Sequence, residues 1–349
     1  MRSSYREEDV TLLLKDITGL VKPQSTEERE RLIQAGKHYC EMLPIEYVPT
    51  PKYMEAYKEA LKNYAASTAE AVGSLADKII DKKGSRAVLV SLARAGIPAG
   101  ILLKHYIMKK YHINVLHYSI SIIRGKGIDD NAIKYLLDRY NPENLLFVDG
   151  WIGKGAILGE LKKAVAPYKG VSSELAVLAD PANVTGLCGT HNDILIPSSC
   201  LNCTVSGLIS RTFLRDDIIG KNDFHGAVYY EELKDADLSY AFIEAIEAEF
   251  KEKNTVCENS VNGYGIDEVK NIAKTFGITD INLVKPGIGE TTRVLLRRVP
   301  WKILIRPNDA VNPELAHIIR LAEEKNVPVE IFPLKHYKAC GIIKNMADT

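Results

Sequence analysis

The chain has 349 residues, a length that suits two domains better than one. Hydrophobic residues make up 46% and charged residues 26%, as in ordinary globular proteins, and 45 Lys and Arg balance 45 Asp and Glu, so no global field draws the chain to nucleic acid or to a membrane. The opening MRSSYREEDVTLLLKD is charged throughout and no stretch approaches the ~20 apolar residues that span a bilayer, so the chain is expected to be cytoplasmic, with no membrane partner and its six cysteines as reduced thiols.

Residues 1–50 read as an N-terminal helical extension, in which Ser25 and Glu28 form a capping box for a helix to about Met42. A long amphipathic helix is expected over 52–81, with Met54, Tyr57, Leu61, Tyr64, Val72, Leu75 and Ile79 at helical spacing. Strands at 87–92, 114–123, 145–148, 174–179 and 193–196 then alternate with helices at 98–111, 130–139 and 156–165. That alternation gives an α/β domain over 51–230, built on a mainly parallel sheet with helices on both faces. Residues 231–262 hold nine Asp or Glu against three Lys and read as an acidic helix and linker. The segment NTVCENSVNG marks a boundary, and a second, small α/β/α unit is expected over 263–349, with the fragment from Asn254 to Thr349 folding alone.

Ligands of an open parallel sheet bind outside the carboxyl ends of its strands, where three loops draw attention. In the first, Arg94, Ala95 and Gly96 follow a buried strand and open a helix; small residues and a helix N-terminus suit an anion, which Arg94 can clamp. In the second, Arg124 and Lys126 lie among glycines, as in a mobile flap over phosphates. In the third, Asp149 follows four apolar residues and leads into Gly150, Gly153, Lys154, Gly155 and Ala156, an acid for sugar hydroxyls before a turn that can wrap a phosphate.

The order of these loops resembles type I phosphoribosyltransferases. The string ADPANVTGLCGTHNDILIPSSCLNCTVSGLISRT further resembles the phosphoribosyltransferase family linked to tellurium-resistance operons, which also carries the label StiP cysteine protease. The resemblance implies diphosphate at Arg94, Ala95 and Gly96, and ribose 5-phosphate at Asp149, Gly150, Gly153, Lys154, Gly155 and Ala156. It also implies Mg²⁺, with Asp149, Arg124 and Lys126 as the catalytic groups. Two departures stand out: Gly150 occupies the place of a second acid, and Gly-Lys-Gly-Ala replaces a threonine-rich turn.

In the same frame Asp180, Thr190, His191, Asn202 and Ser206 line an acceptor pocket. Cys188-x-x-His191 and Cys200-x-x-Cys203 have zinc-ligand spacing, and Cys200 or Cys203 with His191 has the makings of a cysteine protease. The expectation is nevertheless small buried thiols, with no metal and no proteolysis.

Within 285–306, six cations stand against Glu290 alone. The helix-opening Gly287-Ile288-Gly289-Glu290-Thr291-Thr292-Arg293 resembles the Gly-x-Asn-Glu-x-x-Lys of pelota-type domains, with Gly289 in place of the Asn and Arg293 in place of the Lys. Structured RNA at Gly287, Gly289, Glu290, Arg293, Arg297 and Arg298 is what that resemblance implies. The composite expectation is a glycosyltransferase using phosphoribosyl diphosphate, in the nucleotide or nucleoside metabolism of a stress response, coupled to RNA and open to homodimerisation. A ligand-sensing RNA-binding protein without turnover and a cysteine protease are the alternatives.

Overall fold

The computed structural model describes residues 1–258 and 260–344, so Asn259 of the expected linker and positions 345–349 of the expected C-terminal domain lie outside the described residues. The chain opens with two short strands, β1 (Thr11–Leu12) and β2 (Lys15–Asp16), before helix α1 (Thr26–Gln34). The extension is therefore only partly helical. Ser25 does cap α1, its Oγ accepting from the Glu28 N–H at 3.2 Å. Upstream of it the strands are held because Leu13, Leu14 and Ile17 are buried under the main domain.

Pro51, at a position where a missing N–H costs nothing, starts helix α2 (Pro51–Lys83). Its buried stripe includes Tyr57, Tyr64, Val72, Leu75 and Ile79, the spacing anticipated from sequence. The alternation follows in order: β3 (Val88–Ala93), α3 (Gly96–Tyr111), β4 (Leu116–Ile123), β5 (Gly127–Ile128), α4 (Asp130–Leu137), β6 (Leu145–Trp151), α5 (Ala156–Val165), β7 (Leu175–Ala179) and β8 (Cys188–Thr190). A strand β9 (Gly226–Ala227), paired with β2, and helix α6 (Ser239–Glu247) complete this part. The main sheet runs β1-β4-β3-β6-β7-β8, parallel throughout, with β5 folding back antiparallel on β4.

Alternation along each strand divides the core. Val88, Val90, Leu92, Leu145 and Phe147 face α4 and α5, packing on Ile133, Leu136, Leu158 and Leu161. Leu89, Leu146 and Val148 face the opposite layer of α2, α3 and α6, with Leu75, Ile101 and Phe242. The strand expected at 193–196 does not form: the sheet stops at Thr190, and the next segment leaves it, with Asp193 bonded to backbone amides of the C-terminal unit.

That unit comprises α7 (Tyr264–Thr275), β10 (Val284–Pro286), α8 (Ile288–Arg297), β11 (Pro300–Ile305), α9 (Ala316–Glu324), β12 (Val329–Ile331) and β13 (Ala339–Ile343). Its mixed sheet runs β10-β13-β11-β12, with only β11 and β12 parallel. One face packs on α7 through Val269, Ile272, Val284, Leu304 and Ile342. The other joins the main core: Ile288, Leu295, Ile303, Leu315 and Ile318 are continuous with Leu195, Ile196 and the buried face of α2. Tyr53 and Tyr64 of α2 donate to the carbonyls of Leu296 (2.5 Å) and Glu314 (2.8 Å), and Arg320 pairs with Glu59 at 2.7 Å. The expectation that residues from Asn254 onward fold alone meets this shared core, since cutting there would expose apolar faces of α8 and α9.

No helix among the described residues is long and apolar enough to cross a membrane. One close approach gives a sharp stability test. A Cβ on Gly189 of β8 would fall inside the van der Waals shell of the Ala71 carbonyl oxygen on α2. Gly189→Ala is expected to destabilise the fold by about 1–3 kcal/mol, read as a lowered midpoint in urea with unchanged slope.

Candidate active site

At the end of β6 the Asp149 carboxylate accepts from the Gly150 N–H at 2.8 Å. Burial pushes it up to about 7, against the lowering effects of that N–H and of the Arg293 charge. The turn beyond it is packed with protein. Lys154 Nζ donates to the carbonyls of Ile281 (2.6 Å) and Val284 (2.9 Å), and burial lowers it to about 8. Tyr337 donates to the Gly153 carbonyl at 2.8 Å, and Gly155 lies against Ile266. The cavity left beside Trp151, Gly153, Asp193 and Glu290 is about 10 Å³, the space of a single water.

The other two loops are similarly committed. The Arg94 guanidinium donates to the Ile209 carbonyl at 2.7 Å and pairs with Glu46 at 3.3 Å, while Ala95 and Gly96 begin α3 tight against the β6 backbone. Arg124 donates to Asn282 Oδ1 at 2.7 Å, and Lys126 lies in the exposed turn between β4 and β5. The turn at which magnesium diphosphate was expected is covered by the C-terminal unit, which bonds Lys154 and Gly153.

Asp149 carries a pH prediction. Its folded pKa lies above the ordinary 3.8, so the native state holds the proton more tightly, and stability falls as pH rises from about 4 through about 7. Asp149→Asn is expected to stabilise the chain by roughly 2–3 kcal/mol at pH 8, allowing for partial solvent contact, and by nothing at pH 4. Denaturation at the two pH values checks it.

Of the expected acceptor residues, Asp180, Thr190 and His191 come together where β7 and β8 end. The Asp180 N–H donates to the Thr190 carbonyl at 2.9 Å, and His191 Nδ1 lies 3.0 Å from the Asp180 carbonyl oxygen. The buried Asp180 carboxylate accepts from the Val184 and Thr185 amides at 2.7 and 2.8 Å, and its Oδ2 lies 3.8 Å from His191 Nδ1. Asn202 and Ser206 instead bond each other in the turns around Cys203, Ser206 Oγ donating to the Asn202 carbonyl at 2.8 Å.

The cysteines divide differently from their sequence spacing. Cys188 Sγ lies 3.4 Å from His191 Nε2 and 3.7 Å from Cys257 Sγ. The three donor atoms of Cys188, His191 and Cys257 all lie within 4.8 Å of one another. Cys257 reaches this place because the linker is stitched to the helical layer: Asn254 Nδ2 donates to Tyr106 Oη at 2.5 Å, and Thr255 bonds Glu70 of α2. Hydrogen bonds from Cys188 and then from His191 bring the half-buried Cys257 thiol down to about 4 despite burial. His191 rises to about 9, chiefly through its bond to Cys257. Cys188 moves the other way, well above the usual thiol range, because its hydrogen bond to Cys257 and its burial both favour the protonated form. Cys200 and Cys203 are each buried and pushed up to about 12 by desolvation, Cys200 near the Ala56 carbonyl and Cys203 near Glu46 and Arg94. The thiols that the fold brings to His191 are thus Cys188 and Cys257, while Cys200 and Cys203 lie elsewhere.

The helix-opening segment of the C-terminal unit faces the seam. Asp193 accepts from the Ile288 N–H at 2.9 Å and the Lys338 N–H at 2.8 Å, at the point where Gly287 adopts φ 91°. Gly289 packs near Ser199, and Glu290 lies against Gly153. Arg293 pairs with Glu290 at 3.4 Å and covers the Trp151 ring, while Arg297 donates to the Ser199 carbonyl at 3.3 Å. Arg298 is exposed.

Comparison with known proteins corrects the expected activity. Two crystal structures of a hypoxanthine-guanine phosphoribosyltransferase from Bacillus anthracis match at 20% and 21% identity, over 33% and 34% of this chain and 68% of theirs, each with a TM-score of 0.25, too slight to carry an argument. A protein of Acinetobacter baylyi named "Cysteine protease StiP" is 36% identical over 98% of this chain and 94% of its own. That finding displaces the glycosyltransferase reading in favour of the protease alternative. The PELOTA RNA binding domain matches residues 264–345, so an RNA partner at the C-terminal unit stands. The family described as "Tellurite-like stress resistance cysteine protease StiP" matches residues 3–247, and this chain belongs to it.

Proposed function

We propose that the chain is a thiol-dependent peptidase whose reactive pair is Cys257 and His191. The observation that carries this reading is the convergence of Cys257, His191 and the carbonyl of Asp180 at one strand end, beside a buried second thiol. Cys257 Sγ adds to the scissile carbonyl, and His191 Nε2 gives its proton to the departing amine. Water then cleaves the thioester, His191 taking the water's proton as Cys257 is released as thiolate. The Asp180 carbonyl, accepting from Nδ1–H, holds the ring and leaves Nε2 to carry the proton.

In this reading the chain works in the cytoplasm, where its free thiols remain reduced, and its PELOTA domain brings structured RNA to the same molecule. The first experiment is alkylation. Iodoacetamide at pH 6 is expected to modify Cys257 well before the other five cysteines, as mapped by mass spectrometry, with hydrolysis of an unstructured protein substrate lost in step. Uniform slow labelling, or activity that survives full modification of Cys257, would sink the proposal.

A further inference from the structure

We infer that Cys188, His191 and Cys257 form a three-donor site for a thiophilic divalent cation such as Zn²⁺. The sequence pairs Cys188-x-x-His191 with Cys200-x-x-Cys203, but the fold supplies Cys257 from the linker in their stead. The distances from Cys188 to its two partners are close to those between ligands of a tetrahedral ion. Zinc bonds to sulfur at about 2.3 Å and to imidazole nitrogen at about 2.0–2.1 Å, which sets tetrahedral edges of about 3.8 Å between two sulfurs and about 3.6 Å between sulfur and nitrogen. The chain places the two sulfurs 3.7 Å apart and Cys188 Sγ 3.4 Å from His191 Nε2. Binding a cation therefore asks the His191 ring to turn, because Cys188 Sγ lies almost as close to Nδ1 (3.6 Å) as to Nε2.

The surroundings fit the same purpose. A metal-binding histidine commonly gives its second ring N–H to a carbonyl or carboxylate, which fixes the ring. Here Nδ1 lies 3.0 Å from the Asp180 carbonyl oxygen and 3.8 Å from Asp180 Oδ2, while Asp180 Oδ1 is buried with no hydrogen-bond partner among the described residues. Two thiolates balance the charge of a divalent ion. Lys78, the cation nearby, has its ammonium on the carbonyls of Gly186 and Cys188 at 3.3 and 3.0 Å. With three protein ligands the fourth position stays open, the pattern of sites that also hold water or substrate.

Occupation uses the same lone pairs that the peptidase reading assigns to Cys257 and His191, so, resting on that reading, the bound ion silences hydrolysis. Metal binding is measured separately from turnover. The full chain, stripped with chelator and dialysed, is titrated with Co²⁺ and then with Zn²⁺ against a chromogenic chelator. Expected are sulfur-to-cobalt charge-transfer bands saturating at one ion per chain, displaced by one equivalent of Zn²⁺. Cys188→Ser should abolish the bands and weaken Zn²⁺ by more than the ~10–100-fold that loss of an outer partner costs. Should that variant fail to fold by circular dichroism, Cys257→Ser, on the half-exposed linker, carries the same test. Absence of the bands in the native chain, or equal Zn²⁺ affinity in the native chain and a folded variant, overturns the inference. Bands without any hydrolysis by the stripped chain would leave the metal site standing and remove the peptidase reading; hydrolysis without bands would do the reverse.

Discussion

Replacing Cys257 with alanine is expected to lower hydrolysis of a peptide substrate by ~10⁴-fold or more, because no other thiol beside His191 is placed and charged to replace it. Cys188 is close enough, 3.4 Å from His191 Nε2, but it is buried and its thiol is held protonated. His191→Ala should cost about as much, and the double variant scarcely more than either single one, since nucleophile and acid act as a unit. Asp180→Asn should cost less, because the closer contact to the imidazole is the Asp180 backbone carbonyl, which the substitution keeps. Cys200→Ala and Cys203→Ala, in separate buried environments, should retain turnover. Initial rates on one unstructured substrate, with circular dichroism to confirm folding, check the whole set. Retention of hydrolysis by Cys257→Ala contradicts the assignment of the nucleophile.

Local signals explain what the sequence revealed of the fold and what it hid. The alternation of buried strands with helices was plain because β3, β6 and β7 are apolar on both faces and α2 keeps its stripe for eight turns or so, patterns fixed by neighbours along the chain. The cluster at His191 was half visible: Cys188-x-x-His191 closes within one strand end. Its third member is distant in sequence, and no local spacing announces that Asn254 and Thr255 will be bonded to α3 and α2 and so deliver Cys257. A single cysteine in an acidic, polar segment carries no periodic signal, and spacing alone pairs Cys188-x-x-His191 with Cys200-x-x-Cys203 instead. The glycine turns were read as open ligand loops for the same reason. Gly153 and Lys154 look free until β10 and Tyr337 occupy them from about 130 to 184 residues away along the chain. Motif reasoning identified the elements that surround the strand ends, and tertiary packing, which no local motif shows, sets protein groups of the C-terminal unit against them.

The same packing yields the second large effect. Asp193→Ala is expected to weaken the seam between the two units by about 3–4 kcal/mol and to raise the affinity of the full chain for structured RNA. The Asp193 carboxylate sits at the opening of α8, accepting from the Ile288 amide at 2.9 Å and the Lys338 amide at 2.8 Å. Amides at a helix N-terminus are also natural partners of a phosphate, so an RNA phosphate approaching α8 would compete with this carboxylate for them. Asp193 is buried, which raises its pKa to about 6 even so, and its loss would leave the two amides without this acceptor. Beside this contact Glu290, Arg293 and Arg297 lie against Gly153, Trp151 and Ser199, whereas Arg298 is exposed. If the RNA-competent arrangement requires this seam to open, its population limits the apparent affinity, and weakening the seam by about 3 kcal/mol allows a gain of up to ~150-fold. Fluorescence anisotropy with a labelled hairpin RNA measures this, and the gain should be largest at low salt, where newly uncovered cations release the most counterions from the RNA. Equal affinity for native chain and variant, with the variant folded and its urea midpoint lowered, would mean that RNA is held by exposed surface such as that around Arg298, and that the seam has no part in gating it.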